Sequence, residues 1–200
     1  VQYYNESHLA FLLVVTIYSI YGLVDDIVDV GRFLKFTFPI CFSFPLVVVC
    51  NPDYILVPFY GEFDLTGNLF FDISYNDLFR IFIIPIYVMV IANLVNMHSG
   101  YNGLQSGLST ILLITILLES WQDDQLDLVF PAGAFLGTML CFSYFNKYPS
   151  KVFEGNIGAL MFGSILGSLI VLQSYWWFGF FIFIPHTFNF LLWIYWIYMM

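Results

Sequence analysis

The stretch LAFLLVVTIYSIYGLVDDIVDVGRFLK, residues 9–35, decides the class of this protein. Its first sixteen residues, 9–24, carry no charge, and a helix of that composition is nearly long enough to cross a bilayer, which takes roughly 17–25 residues. Asp25 and Asp26 then follow side by side, with Asp29, Arg32 and Lys35 behind them. An acid at bilayer depth costs roughly 2.5–3.5 kcal/mol on insertion scales. An adjacent pair adds mutual repulsion. Such a pair is either a helix end meeting water or the wall of a site that binds a cation.

The rest of the chain has the same character. Of its 200 residues 60% are hydrophobic and 10% charged, where a soluble domain carries about a quarter charged. Six more apolar stretches follow, at 33–50, 78–97, 104–118, 126–145, 157–172 and 176–200. The expected fold is therefore an all-α polytopic transmembrane helical bundle of about seven spans. Pro39 and Pro45 should kink the second span, which a bundle tolerates where neighbours satisfy the freed carbonyls. The pairs Gly133/Gly137 and Gly163/Gly167 have the small-xxx-small spacing that lets helices approach closely. Residues 51–77 alternate enough to suggest a small extracytoplasmic β-hairpin, although Pro58 and Gly61 weaken the pattern. Cys41, Cys50 and Cys141 lie in apolar runs without C-x-x-C spacing and read as free, buried, small hydrophobes.

Charge asymmetry orients the bundle. The links around 25–33, 97–103 and 146–156 share one side and hold Arg32, Lys35, Lys147 and Lys151, whereas the other side holds only Arg80. The positive-inside rule makes the first side cytoplasmic. A net charge of −9 without a basic patch excludes nucleic acid as a partner.

Each cytoplasmic link carries a polar cluster. The second, ANLVNMHSGYNGLQSG at 92–107, places Asn93 and Asn96 on one helix face and a turn at Asn102-Gly103. Amides offer both donors and carbonyl acceptors, which suits a hard cation or a base edge. Taken alone they also fit helix capping, and His98 reads as an incidental interfacial residue. The third, FNKYPSKVFEGNIGALMFG at 145–163, offers Lys147 and Lys151 to phosphates and Asn156 at a helix start, where N–H groups favour anions. A plain capped loop is the other reading. Acids, amides and lysines on one face together point to a magnesium–pyrophosphate site. No G-x-x-x-x-G-K-[ST] or G-x-G-x-x-G occurs, so a P-loop or Rossmann site is not supported. A transporter or channel using the cytoplasmic acids is the rival class.

In this order, GLVDDIVDVGRFLK, NLVNMHSGYNGLQSG and FNKYPSKVFEGN resemble the polyprenyl-phosphate N-acetylhexosamine-1-phosphate transferases of glycosyltransferase family 4. The N-x-Y-P-S-x-V-F-x-G run is most similar to the dolichyl-phosphate GlcNAc-phosphotransferase branch. The resemblance implies transfer of GlcNAc-1-phosphate from UDP-GlcNAc to a polyprenyl or dolichyl phosphate, releasing UMP, as the first step of lipid-linked glycan assembly. It implies catalytic roles for Asp25, Asp26 and Lys35, and substrate contacts for Asp29, Asn93, Asn102, Lys151 and Phe153, the last stacking on uracil. It also implies metal ligation by Asn96 and Asn156 with Mg2+, Mn2+ substituting. Where the family has Asp, this chain has Asn156, whose carbonyl can still coordinate but without the charge. The expected partners are UDP-GlcNAc, the lipid phosphate and the bilayer, with a homodimer left open and no nucleic acid. The expected location is the endoplasmic reticulum membrane in a eukaryote or the plasma membrane in an archaeon or bacterium. Residues 1–200 read as one membrane domain, and as a piece lacking two N-terminal spans and a basic C-terminal loop that the family carries.

Overall fold

The computed structural model describes residues 2–28, 30–70, 73–125 and 128–199, with side chains placed for all of these except 2–5, 32 and 70. In chain order the helices are α1 (Gln2–Val28), α2 (Arg32–Phe42), α3 (Phe44–Val49), α4 (Tyr75–Leu78), α5 (Ile84–Asn96), α6 (Leu104–Gln122), α7 (Val129–Asn146), α8 (Gly155–Leu172), α9 (Trp176–Ile182) and α10 (Ile184–Met199). A π-helical turn, Phe79–Ile83, joins α4 to α5. Among the described residues, five helical stretches are long and apolar enough to cross a membrane, and the bent pair α9–α10 makes a sixth if it is one span. The protein is a polytopic helical membrane protein.

Two expected spans differ from continuous helices, and proline explains both. The second breaks at Ser43 into α2 and α3, because Pro45 lacks an N–H and its ring crowds the carbonyl one turn back. The Tyr18 hydroxyl, fully buried on α1, donates to the Pro39 carbonyl at 2.8 Å and lies 3.2 Å from Ser43 Oγ. A neighbouring helix thus supplies the donor that the kinked backbone has lost. The last stretch bends by 57° at Phe183, two residues before Pro185.

Helix α8 is the centre of the bundle: 67% of its apolar window is buried, against 17–44% for the other spans. One face packs with Ile91, Leu94, Leu113 and Ile116 of α5 and α6. The other packs with Val14 and Tyr18 of α1 and with Val88 and Ala92 of α5. Glycine permits these crossings. A Cβ on Gly163 would lie 2.5 Å from Ala92 Cα, and one on Gly22 of α1 would lie 2.5 Å from the Asn156 carbonyl oxygen. Gly167 makes the expected close approach as well, 3.2 Å to Val88 Cα. Gly133 and Gly137 do not, since a Cβ at either would meet nothing within 4 Å. Several hydroxyls inside the spans donate to carbonyls one turn back, as Thr16 does to Leu12 and Thr138 to Ala134, whereas the buried hydroxyls of Ser109 and Ser168 have no partner.

At one end of the bundle the expected hairpin is present twice. Strands β1 (Tyr54–Val57) and β2 (Gly61–Asp64) pair antiparallel, as do β3 (Asn68–Phe70) and β4 (Ile73–Ser74). Pro58 sits in the first turn, where its missing N–H costs no ladder bond. Arg80 caps the C-terminus of α3, donating from Nη2 to the Val47 carbonyl at 2.7 Å and from Nε at 3.0 Å. The three cysteines are free as expected, but only Cys50 is buried; Cys41 and Cys141 are exposed on outward helix faces.

Candidate functional site

Because α8 lies between α1 and α5, the end of α1, the end of α5 and the start of α8 meet at the other end of the bundle. Asp25 and Asp26 leave the last turn of α1 in different directions. Asp26 reaches the first turn of α8, where its Oδ1 accepts from the Asn156 N–H at 2.8 Å and its Oδ2 from the Ile157 N–H at 3.1 Å. Those N–H groups have no partner within the helix, and the helix dipole favours a carboxylate beside them. Gly155 has φ +63°, and a Cβ there would come within 2.6 Å of Asp26 Oδ2, so this position demands glycine.

Asp25 turns the other way and is 3% exposed. Its Oδ1 accepts from the Val30 N–H at 2.9 Å, and its Oδ2 pairs with Lys35 Nζ at 2.9 Å. The ion pair and the backbone bond offset the burial of the charge and fold the link back toward α2. Tyr21 assists by donating to the Leu34 carbonyl at 3.1 Å. The adjacent pair thus becomes two diverging carboxylates, one on α8 and one on Lys35. The anion at the start of α8 is Asp26 itself. Asp29 lies outside the described residues.

The amides follow. Asn93 and Asn96 are half-buried at the end of α5; Asn93 Nδ2 donates to the Met89 carbonyl at 2.9 Å, and Ser99 Oγ donates to the Asn96 carbonyl at 2.7 Å. Asn102 is exposed at the turn, and Gly103 adopts φ +76° there. What ties this link to the third is Asn146, to which the sequence alone assigns no role. It is 1% exposed; its Oδ1 accepts from the Gly103 N–H and from Ser106 Oγ, both at 2.9 Å, and its Nδ2 donates to the Val152 carbonyl at 2.9 Å. The available signal was an amide at the end of an apolar helix, directly before a Lys-Tyr-Pro loop. Beyond it, Lys151 is exposed, Lys147 lies over the Tyr144 ring at 4.7 Å, and Phe153 stands 58% exposed, open to a planar ring.

Glu154 was also missed. Its side chain packs against Gly158, it is 6% exposed, and neither carboxylate oxygen has a hydrogen-bond partner. Burial pushes its carboxyl from the ordinary range up to about 8. The folded state therefore holds this proton more tightly than the unfolded chain does. Stability contributed by Glu154 is complete below about 4.5 and falls as pH rises toward about 8. Glu154→Gln is expected to raise thermal stability at pH 8 by about 1 kcal/mol or more, because an amide stays neutral in the buried site without holding a proton, and to change little at pH 5. Equal melting shifts at both pH values would show that the carboxyl is not buried as a neutral acid.

The structure thus joins Asp26 to the backbone of Asn156 and Asp25 to Lys35. Asn93 and Asn96 lie on the adjoining helix end, while Asn102, Lys151 and Phe153 stand on neighbouring loops. Among the described residues, no three of His, Cys, Asp and Glu form a metal cage. The half-buried amides of Asn93, Asn96 and Asn156 are the oxygen donors there that could hold a hard cation.

Comparison with known proteins finds relatives over most of the chain. A protein of Methanocaldococcus jannaschii named as a glycosyltransferase is 31% identical over 82% of this chain and 48% of its own length. A Sulfolobus acidocaldarius protein named as a UDP-N-acetylglucosamine–dolichyl-phosphate N-acetylglucosaminephosphotransferase is 29% identical over 92% of this chain and 54% of its own. The phospho-N-acetylmuramoyl-pentapeptide-transferase of Enterococcus faecalis is 27% identical over 86% and 54%. The chain spans about half the length of these relatives. The model of the family described as glycosyl transferase family 4 matches residues 8–174, which include the three polar links and the central helix, and the chain belongs to that family.

Proposed function

We propose that the protein transfers GlcNAc-1-phosphate from UDP-GlcNAc to a polyprenyl or dolichyl phosphate at the cytoplasmic face of its membrane. The observation that carries this reading is the junction at which Asp26 binds the start of α8 while Asn146 clamps the two remaining links to each other. A phosphate oxygen of the lipid attacks the β-phosphorus of the nucleotide, the bond from that phosphorus to the bridging oxygen breaks, and UMP leaves with the electron pair. Lys35, paired with Asp25, offsets the charge that develops, and Lys151 meets phosphate from its exposed loop. Phe153 stacks on uracil, with Asn102 and Asn93 supplying amide contacts around the nucleotide. Asp26 holds the start of α8 in register and presents its carboxylate to the acceptor phosphate. Asn96 and Asn156 would hold magnesium, which when bound neutralises the pyrophosphate.

Asn156→Asp restores a negative charge to that donor set. It is expected to lower the magnesium concentration giving half-maximal activity several-fold; an unchanged requirement would remove Asn156 from the metal ligands. UDP-MurNAc-pentapeptide is the competing donor, since relatives of both names match. With the lipid phosphate present, release of UMP from UDP-GlcNAc and not from UDP-MurNAc-pentapeptide would select the dolichyl branch. A channel or transporter is disfavoured by burial: among the described residues the buried acids are Asp25 and Glu154, both at the motif end, and the buried polar residues of α8 are Ser164 and Ser168. No acid marks a path through the midplane of the central helix.

A further inference from the structure

The hairpin end of the bundle, opposite the motif links, holds a cleft of about 480 Å3 that the proposed transfer does not use. That volume lies within the roughly 300–1,000 Å3 of small-molecule sites. The cleft lies between β1, the end of α6 and the turn that joins α8 to α9. Helix α8 ends there in a left-handed step at Ser174, φ +59°, with Gln173 before it and Trp176 after it. Both residues line the cleft, at 4% and 7% exposed, and both hold a polar atom without a partner. Gln173 Oε1 accepts from Ser120 Oγ at 2.9 Å, while Nε2 has no partner. The Ser120 hydroxyl has one hydrogen, and the Ile116 carbonyl at 2.8 Å competes for it. Turning the amide over therefore changes which end is left unmet, but one end is left either way. Trp176 Nε1 can only donate. Buried polar groups of this kind are costly to leave unmet, and a ligand that meets them recovers that cost.

The rest of the lining narrows the ligand. Asp53 and Asp123 are exposed, Glu119 is half-buried, and among the described residues no Lys, Arg or His lines the cleft. Trp177 and Phe178, both half-buried, add an aromatic wall. An anion would meet three carboxylates and no cation. A metal ion lacks a cage, since among the described residues no three of His, Cys, Asp and Glu group to hold one. An ammonium ion suits the carboxylates but gives Trp176 nothing to donate to. A hydroxyl both donates and accepts. A ring bearing several of them can donate to the carboxylates, meet Trp176 and either end of the Gln173 amide, and lay its C–H face on the aromatic wall. We propose that this cleft binds a sugar ring, free or as the head group of a glycolipid at the membrane surface.

The test measures amide hydrogen exchange over 53–56 and 173–178 with the protein in lipid nanodiscs. The probes are methyl glucoside, methyl mannoside and methyl N-acetylglucosaminide in solution, and a glucosyl diacylglycerol in the nanodisc. Saturable protection by at least one of them is expected. Protection by a free glycoside assigns the ring itself, and protection by the glycolipid alone assigns the head group. Gln173→Met removes the unmet amide and leaves Ser120 its bond to the Ile116 carbonyl. It is expected to raise the half-saturating amount of sugar about five-fold, the factor one lost side-chain hydrogen bond carries. Trp177→Leu strips the aromatic wall at a half-buried position and should act in the same direction, so the site is still tested if one variant fails to fold. Putrescine and inorganic phosphate are the counter-probes. Protection by either of these without protection by a sugar overturns the proposal. So does the absence of protection by every sugar, which would leave water as the partner of the buried groups. Sugar protection unchanged in both variants would place the sugar elsewhere and overturn the cleft as its site.

Discussion

Asp26→Asn is expected to cut turnover by roughly 10²–10⁴-fold, the range for losing a positioned ionised group that acts on the reacting centre. The substitution is nearly isosteric, so its cost lies in charge and hydrogen bonding. Asp26 accepts from two N–H groups, of Asn156 and Ile157, one on each oxygen. Asparagine can accept only through its carbonyl, and it sets an NH2 against the second N–H at the positive end of α8. That change should cost about 1 kcal/mol of stability, within what helix-terminal interactions contribute, and leave the protein folded. The expected result is a folded protein, melting a few degrees lower, with turnover nearly gone. Turnover within about two-fold of wild type would remove Asp26 from the chemistry and leave it as a helix anchor.

Gly163→Val is expected to destabilise the bundle by about 3 kcal/mol or more, at the upper end of what overpacking costs. The reason is the identity of the neighbour. A Cβ on Gly163 would lie 2.5 Å from the Ala92 Cα and 3.0 Å from the Ala92 carbonyl oxygen, backbone atoms that cannot rotate aside. The α5–α8 crossing must open, and with it the face that carries Asn93, Asn96 and Asn156. Gly133→Val is the matched control, because a Cβ there meets nothing within 4 Å; it should change stability by no more than about 0.5 kcal/mol. Melting of the detergent-solubilised variants checks the pair. Similar melting points for both would mean that α5 and α8 do not cross closely.

These two glycine pairs also mark how far the sequence could be read. Both have the same spacing, yet only the pair on α8 is used, because spacing permits close approach without saying which helix lies opposite. The apolar runs and the lone cations of the links were enough to identify the membrane class and the end where the polar clusters gather. The break at Ser43 was legible from proline chemistry, but Tyr18, whose hydroxyl serves the Pro39 carbonyl beside it, sits 21 residues from Pro39 on another helix. Pro185 carried the same signal for the bend at Phe183, masked by the unbroken apolar run around it. In the site, Asp25 and Asp26 were legible as a pair and illegible as individuals. Their partners are Lys35 on one side and the start of α8, 130 residues away, on the other. Asn146, Glu154 and Gln173 were hidden for a different reason: each is a common residue type that gains significance only through burial and through its surroundings on other elements.

The most direct measurement is release of UMP by purified protein supplied with UDP-GlcNAc, with and without polyprenyl phosphate and with and without magnesium. The proposed transfer predicts UMP together with GlcNAc-diphosphate-polyprenol in equal amounts, only when both lipid phosphate and magnesium are present, and loss of both products in Asp26→Asn. UMP released without the lipid acceptor, or neither product with every component present, would contradict it.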